Sequence, residues 1–293
     1  MMALSRAVTI VLTGLLLLAG SGCSTGLKLG YNQLERLARW EIDREIDLDA
    51  AQKAAFTAEF QALQRWHRQT QLPRYAADLR LLAAAIERGQ PLGSAVDAAL
   101  AAAEIHSDAL WQQAQPGTER LLATLADVQV AEYDRRRRKA LDKQARRHAD
   151  DSPDDRRKHW RREWRDSLDR WIGALNAQQL ALLDAAWPHE QTLERSPAEQ
   201  AAVRLARHQR LVAGLASRRE PGLLVRLTAA ADPQERVRSE ADRARARALL
   251  ITLLNAADQR QRDRLQATVQ ELADDLAQLS RPDSAATATT TAR

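Results

Sequence analysis

Apolar residues recur along this chain at helical spacing. Phe56, Phe60, Leu63 and His67 fall at i, i+4, i+7 and i+11; Trp160, Trp164, Leu168 and Trp171 repeat the stripe, as do Leu265, Val269, Leu272, Leu276 and Leu279. Arginines and acids fill the opposite faces, and no stretch alternates with period two, so no sheet is expected. Helix-start signals divide the pattern. Ser94 with Asp97, Ser152 with Asp155, Ser196 with Glu199 and Asp232 with Glu235 each place a capping side chain three residues before an acid that reaches back to the cap N–H. Pro153, Pro197 and Pro233 follow three of these caps, where a missing N–H costs nothing. With Pro73 and Thr118, the signals predict roughly ten or eleven helices. They run over 31–46, 50–70, 73–88, 95–115, 119–149, 153–174, 177–187, 197–217, 221–230, 233–253 and 256–279. The expected fold is all-α, an elongated multi-helix bundle over 31–280, with lobes 31–150 and 151–280 if its halves are similar. Residues 281–293 carry no periodic apolar residue and are expected to be a disordered tail.

Composition sharpens the helical reading. Of 293 residues, 56 are Ala and only 17 are Val or Ile. Ala loses no side-chain entropy in a helix, whereas β-branched residues lose rotamers there. Leu, Ile, Val and Phe together number 62, so the core must be thin, with helices approaching closely over Ala. The single Cys excludes an internal disulfide framework and a Cys-rich zinc site.

That cysteine sits where its position is informative. Arg6 precedes an apolar run from Ala7 to Ala19, then Gly20-Ser21-Gly22 and Cys23. The run is too short to span a bilayer and has the form of a secretory signal. Leu18-Ala19-Gly20-Ser21-Gly22-Cys23 resembles a bacterial lipobox, with Gly20 where Leu is usual. The resemblance implies a signal peptide over 1–22 and an acylated tether over 23–30. Cys23 would carry a covalent diacylglycerol and an N-acyl chain, and no other cofactor is expected. Ser24, rather than Asp, resembles the sorting preference for the periplasmic face of the outer membrane, with the anchor as the membrane contact.

A second pattern recurs through the mature chain. Leu48-Asp49-Ala50-Ala51-Gln52, Leu125-Ala126-Asp127-Val128-Gln129, Leu175-Asn176-Ala177-Gln178-Gln179 and a degraded Leu254-Asn255-Ala256-Ala257-Asp258 share a Leu-cap-x-x-Gln form. Asp49 with Gln52 and Asn176 with Gln179 read as capping boxes behind a stapling Leu. Ala126 has no capping side chain, which favours a continuous helix there. The near-equal first and last spacings suggest a duplicated unit. The element resembles the Leu-Thr-x-x-Gln repeat of Spy-like periplasmic chaperones, although no copy has the Thr. Leu29-Gly30-Tyr31-Asn32, Trp66-His67-Arg68, Leu72-Pro73-Arg74-Tyr75-Ala76 and Arg170-Trp171-Ile172-Gly173-Ala174-Leu175 resemble a family of proteobacterial helical lipoproteins of unknown function, with Gln71 and Ile172 departing from its pattern. The resemblance implies class and place, and no activity.

Candidate chemistry is sparse. The six histidines show no metal-ligand spacing; His159 and Glu163 share a helix face, but no His-Glu-x-x-His is present, and no metal is expected. His67, beside Trp66 on an apolar face, reads as a packing histidine. Pro73 is expected to break the helix, with Arg74 and Tyr75 locking the turn, and the Trp66–Tyr75 corner is a candidate partner-binding site. No nucleophilic triad, Gly-rich phosphate loop or P-loop lysine occurs. The paired acids Asp150-Asp151, Asp154-Asp155 and Asp274-Asp275 are explained by solvation, so no enzyme is expected, with an unrecognised hydrolase as the outlying alternative.

Charge is the remaining signal. The net charge is +5, and Arg135-Arg136-Arg137-Arg138-Lys139, Arg146-Arg147, Arg156-Arg157-Lys158 and Arg161-Arg162 crowd one region. The export signal argues against nucleic acid. Arg outnumbers Lys 39 to 5, which suits bidentate contact with carboxylate or phosphate. Arg135, Arg136, Arg137, Arg138, Arg161 and Arg162 are therefore candidate contacts for an envelope protein or peptidoglycan, against the plainer reading that nearby acids neutralise them. The leading expectation is a non-catalytic lipoprotein holding a protein client or partner, chaperone-like or as an adaptor. The alternative is a structural bridge from the outer membrane to peptidoglycan or anionic lipid through the basic helix.

Overall fold

The computed structural model describes residues 24–193 and 195–281; the expected signal peptide 1–22, the lipidation residue Cys23 and residues 282–293 lie outside them. Among the described residues the chain is all-α. Its helices are α1 (Ser24–Asn32), α2 (Leu34–Glu45), α3 (Ala50–Trp66), α4 (Leu72–Glu87), α5 (Leu92–Ala123), α6 (Asp127–His148), α7 (Pro153–Ile172), α8 (Ala177–Leu193), α9 (Pro197–Leu215), α10 (Leu223–Ala229), α11 (Pro233–Asn255) and α12 (Gln259–Leu279). None of them is long and apolar enough to cross a membrane.

The element boundaries depart from expectation in instructive places. The segment 24–30, expected as tether, is helical, and Leu27 and Tyr31 of α1 are buried against α4 and α12. Pro73 does not break the chain. A π-helical turn, His67–Gln71, joins α3 to α4, with the Leu72 N–H donating to the His67 carbonyl one residue beyond the usual register. That extra residue lets the helix pass a Pro that can neither donate to Gln69 nor tolerate its carbonyl in a regular α-turn. Pro116 is likewise carried inside α5, and the break falls at Thr124-Leu125-Ala126. Ala126 therefore begins a helix rather than lying within one. Ser94 is inside α5, whose cap position is Pro91, and Asp97 instead pairs with Arg247 of α11.

Three apolar clusters hold the helices. Leu82, Ile86, Leu92, Leu168, Ile172, Leu183, Leu253 and Leu265 centre the first; Tyr31, Leu34, Leu72 and Leu276 the second; Leu48, Leu122, Leu125, Leu215 and Leu223 the third. The most extensive helix contact joins α4 to α12, so the first half of the chain packs directly on the last helix. All five stripe residues of α12, from Leu265 to Leu279, are buried. Each contributes about 1.5–3 kcal/mol over exposure.

The Leu-cap-x-x-Gln elements meet in two pairs. In the first, Gln52 and Gln129 exchange amide hydrogen bonds, Nε2 to Oε1, at 3.1 and 2.7 Å. Each Oε1 also accepts the N–H of its own cap residue, Asp49 or Ala126, at 3.0 and 2.8 Å. Each Nε2 further donates to the carbonyl two residues before the other cap, Thr124 at 2.9 Å and Asp47 at 2.7 Å. The second pair is Gln179 with Gln261, joined Nε2 to Oε1 at 2.8 Å. Gln261 donates to the Ala174 carbonyl and Gln179 to that of Leu253, both at 2.9 Å, while Asn176 Nδ2 takes the carbonyl of Ala256 at 3.0 Å. The fourth copy is therefore not Leu254-Asn255 but a box three residues on, Asp258 with Gln261. Asn255 ends α11, and its side chain accepts from the Gly93 N–H at 2.9 Å. Partners lie 77 residues apart in one pair and 82 in the other. Gly173, at φ +79° where L side chains are strained, turns the chain out of α7 into the second pair.

Candidate functional site

The basic run in α6 is answered within its own helix. Arg135 makes a bidentate pair with Glu132 at 2.8 and 2.6 Å, Arg136 reaches the same carboxylate at 2.7 Å, and Arg138 takes Asp134 at 2.8 Å. Hydrogen bonds from Arg135 and Arg136 hold the Glu132 carboxyl down at about 2. For Asp134, burial pushes the carboxyl up, yet hydrogen bonds from Arg138 and from the buried His208, at 2.7 Å, bring it below the usual range. Arg157 and Arg161 share Asp184 of α8, and Arg162 is exposed. Of the six candidate arginines, Arg137 lines a described cavity.

That cavity belongs to a cleft between α9 and α11, which the sequence reading did not find. One compartment, about 480 Å³, is floored by Trp160, Trp164 and Trp187 with Val203 and Leu249. Its walls carry Arg195, Arg204, Arg207, Arg238 and Arg245 against Glu190 and Asp242. A second compartment, about 430 Å³, is lined by Tyr133 and Arg137 of α6, His208 and Arg210 of α9, and Arg236 and Arg243 of α11. Asp232, Glu235 and Glu240 are its acids. Arg204, Arg207 and Ser239 line both compartments and form the threshold between them. The arrangement follows from helical spacing. On α9, 200, 203, 204 and 207 share a face, while on α11, 235, 239 and 242 lie along the seam.

Glu235 occupies the threshold. Its two carboxylate oxygens are taken by different arginines: Oε1 by Arg195, in the loop before α9, and Oε2 by Arg207, in the middle of α9, at 3.0 Å. Glu235 is therefore not the capping acid expected at the start of α11. The Asp232 side chain instead accepts from the Gln234 N–H at 2.9 Å. The other cap residues close reciprocal bonds at their own helix starts: Asp49 with Gln52, Asn176 with Gln179 and Ser196 with Glu199. Beyond the threshold, Arg137, Arg210, Arg236 and Arg243 make no side-chain hydrogen bond or ion pair among the described residues. Arg204 donates only to the Gln200 amide, at 3.3 Å.

A different polar cluster surrounds the π-turn. The Tyr31 hydroxyl and His67 Nδ1 lie 3.0 Å apart, His67 stacks edge-on to Tyr75, and Tyr75 lies against His106, which is 2.5 Å from Asp78. His67 Nε2, Gln71 Oε1 and the Tyr75 hydroxyl are buried without partners among the described residues. Burial pushes the His67 imidazolium down to about 4 and the Tyr75 phenol up to about 12. Tyr75 is thus part of the interior, and Trp66, half-buried, lines no described cavity. Among the described residues no group of three or more His, Cys, Asp or Glu is placed to hold a metal ion.

A family model described as a family of unknown function (DUF6279) matches residues 44–243, which covers most of the chain and all four unpaired arginines of the second compartment. The chain belongs to that family. No curated protein and no solved structure matches it.

Proposed function

We propose that this family member is a non-catalytic envelope binding protein, acylated at Cys23 on the periplasmic face of the outer membrane, that holds an anionic protein partner or client in the cleft between α9 and α11. The observation carrying this reading is the convergence of Arg137, Arg210, Arg236 and Arg243 on one cavity with no anion bound to them among the described residues. Gathering like charges costs Coulomb energy, and a concave, partly apolar wall lowers the local dielectric that screens them. An incoming carboxylate relieves that repulsion and gains charge-assisted, fork-shaped hydrogen bonds from guanidinium. The tryptophan floor next to it supplies the aromatic anchor surface on which binding energy concentrates in protein interfaces.

The anchor reading rests on the lipobox-like residues ahead of Ser24. Metabolic labelling with a clickable palmitate is expected to mark the wild type and not Cys23→Ser. Partner holding is tested with a photocrosslinking residue placed at Arg210 or Arg236 in the anchored protein. Salt-sensitive adducts with an envelope protein are expected, and their absence at both positions would remove this reading. The chaperone version further requires that the purified protein suppress light scattering by an aggregating acidic client.

A further inference from the structure

We infer that Glu235 is an internal competitor at the cleft threshold, and that the ligand it stands in for is an acidic polypeptide segment carrying one apolar or aromatic side chain beside its carboxylates. The inference rests on the binding reading above and names its ligand class and its gating residue.

The geometry points to a carboxylate first. Arg195 and Arg207 approach opposite oxygens of a single carboxyl group, so the site is already shaped to a planar, two-oxygen anion delivered on a flexible side chain. Glu235 comes from the first turn of α11, although Asp232 and Pro233 have already organised that turn, so its carboxylate is not needed as a cap. The same two arginines line the tryptophan compartment, and Arg207 lines the other one as well. Whatever displaces Glu235 therefore meets an apolar floor on one side and unpaired guanidiniums on the other. A flat bilayer surface cannot enter a concave cleft of this kind. The floor residues Trp160, Trp164, Val203, Ala246 and Leu249 offer aliphatic and aromatic contact, and Gln200 and Ser239 are the compartment's neutral polar side chains. A saccharide, with many hydroxyls to satisfy, matches that lining less well than an apolar side chain does.

Ligand carboxylates compete with Glu235 for Arg195 and Arg207. Removing the Glu235 charge while keeping its shape frees both guanidiniums and lowers the acid count of the cleft. The expected sign is unusual, because truncating a merely structural ion pair weakens binding or leaves it unchanged.

The test uses the full mature chain and fluorescence anisotropy of a short Glu-rich peptide with a central Phe. Glu235→Gln is expected to bind it roughly tenfold tighter than wild type, with a steeper salt dependence. Arg236→Glu with Arg243→Glu, both at exposed positions, is expected to weaken binding at least tenfold without moving the melting temperature. Replacing the Phe by Ser is expected to weaken binding several-fold. Equal affinity of wild type and Glu235→Gln overturns the competitor role while leaving the cleft as a binding site. No binding by either protein overturns the binding reading itself. Tighter binding of anionic vesicles or of a peptidoglycan fragment than of the peptide overturns the ligand class.

Discussion

The two glutamine pairs and the arginine cleft are both polar, yet the protein treats their polarity in opposite ways. At Gln179 and Gln261, every described amide donor and acceptor contact is made to the chain itself, and Gln179 is fully buried. In the cleft, Arg137, Arg210, Arg236 and Arg243 are left without partners among the described residues, at half-buried or exposed positions. A buried polar group must be satisfied internally, since leaving it unmade costs its full desolvation energy. A solvated cation need not be, and its lack of a partner leaves it available to another molecule. The difference separates residues that specify the fold from residues whose charge is left open to solvent, which is where the proposed binding reading places the partner.

The largest expected effect lies in the buried pair. Gln261→Ala removes a cap acceptor and two buried donor contacts, leaving the Ala174 carbonyl and the Gln179 amide short of a partner. It should cost about 3 kcal/mol in denaturant unfolding. In a double-mutant cycle, Gln179→Ala and Gln261→Ala should together cost less than the sum of the two singles, because one broken pair is counted once. Strict additivity would mean that the two amides do not act as a unit.

The interior also contains polar groups that break the rule, and at one of them, His67, pH should expose it. His67 is 2% exposed, with Nδ1 on the Tyr31 hydroxyl and Nε2 unpartnered. Its folded pKa of about 4 lies below the ordinary value of 6.5, so the unfolded chain binds the proton more readily. Stability is therefore complete above pH 6.5 and falls as the pH drops toward 4, by about 2 kcal/mol by pH 5. A His67→Gln variant should lose that slope between pH 6.5 and 4, as read by urea midpoints across the range.

The first glutamine pair should respond more weakly than the second. Gln52 is buried but Gln129 is only partly so, and water can replace some of what is lost. Gln129→Ala is expected to cost about 1 kcal/mol. A cost equal to that of Gln261→Ala would show that burial does not set the difference between the two pairs.

How much of this was legible in the sequence depends on how local the signal is. The period of the apolar stripes in α3, α7 and α12 and the reciprocal bonds of Asp49 with Gln52 and Asn176 with Gln179 follow from residues three or four apart, so they could be read directly. The pairing of Gln52 with Gln129 could not, because nothing local links helix starts 77 residues apart. The fourth box was misplaced by three residues because Asn255 is as good a cap residue as Asp258, and only packing against Gly93 assigns Asn255 to the end of α11. Glu235 occupied the right position for a capping acid, and the sequence carried no sign that Arg195 and Arg207 would claim it. The cleft stayed invisible for a related reason. Its arginines are scattered singly along α9 and α11, whereas the eye goes to the contiguous run in α6. Pro73 and Pro116 misled in the other direction, since a π-turn and a long packed helix absorbed prolines that local rules read as breaks.

The smallest expected effect is the sharpest control on the comparison. Arg135 and Arg136 stand in the most basic stretch of the chain, but both are already bound to Glu132, one helical turn away. Arg135 is largely exposed, and solvent screening leaves exposed pairs of this spacing with little net effect on stability. Replacing both by Gln should leave the melting temperature nearly unchanged from wild type. It should also leave binding of an acidic segment nearly unchanged, because it frees Glu132 as it removes two cations, and Glu132 does not line the cleft. Arg236→Gln with Arg243→Gln removes the same formal charge from guanidiniums that no acid answers among the described residues, so it should weaken binding strongly at the same small cost in stability. Equal losses from the two double variants would mean that net charge alone recruits the partner, and that the placement of the arginines around Glu235 is incidental.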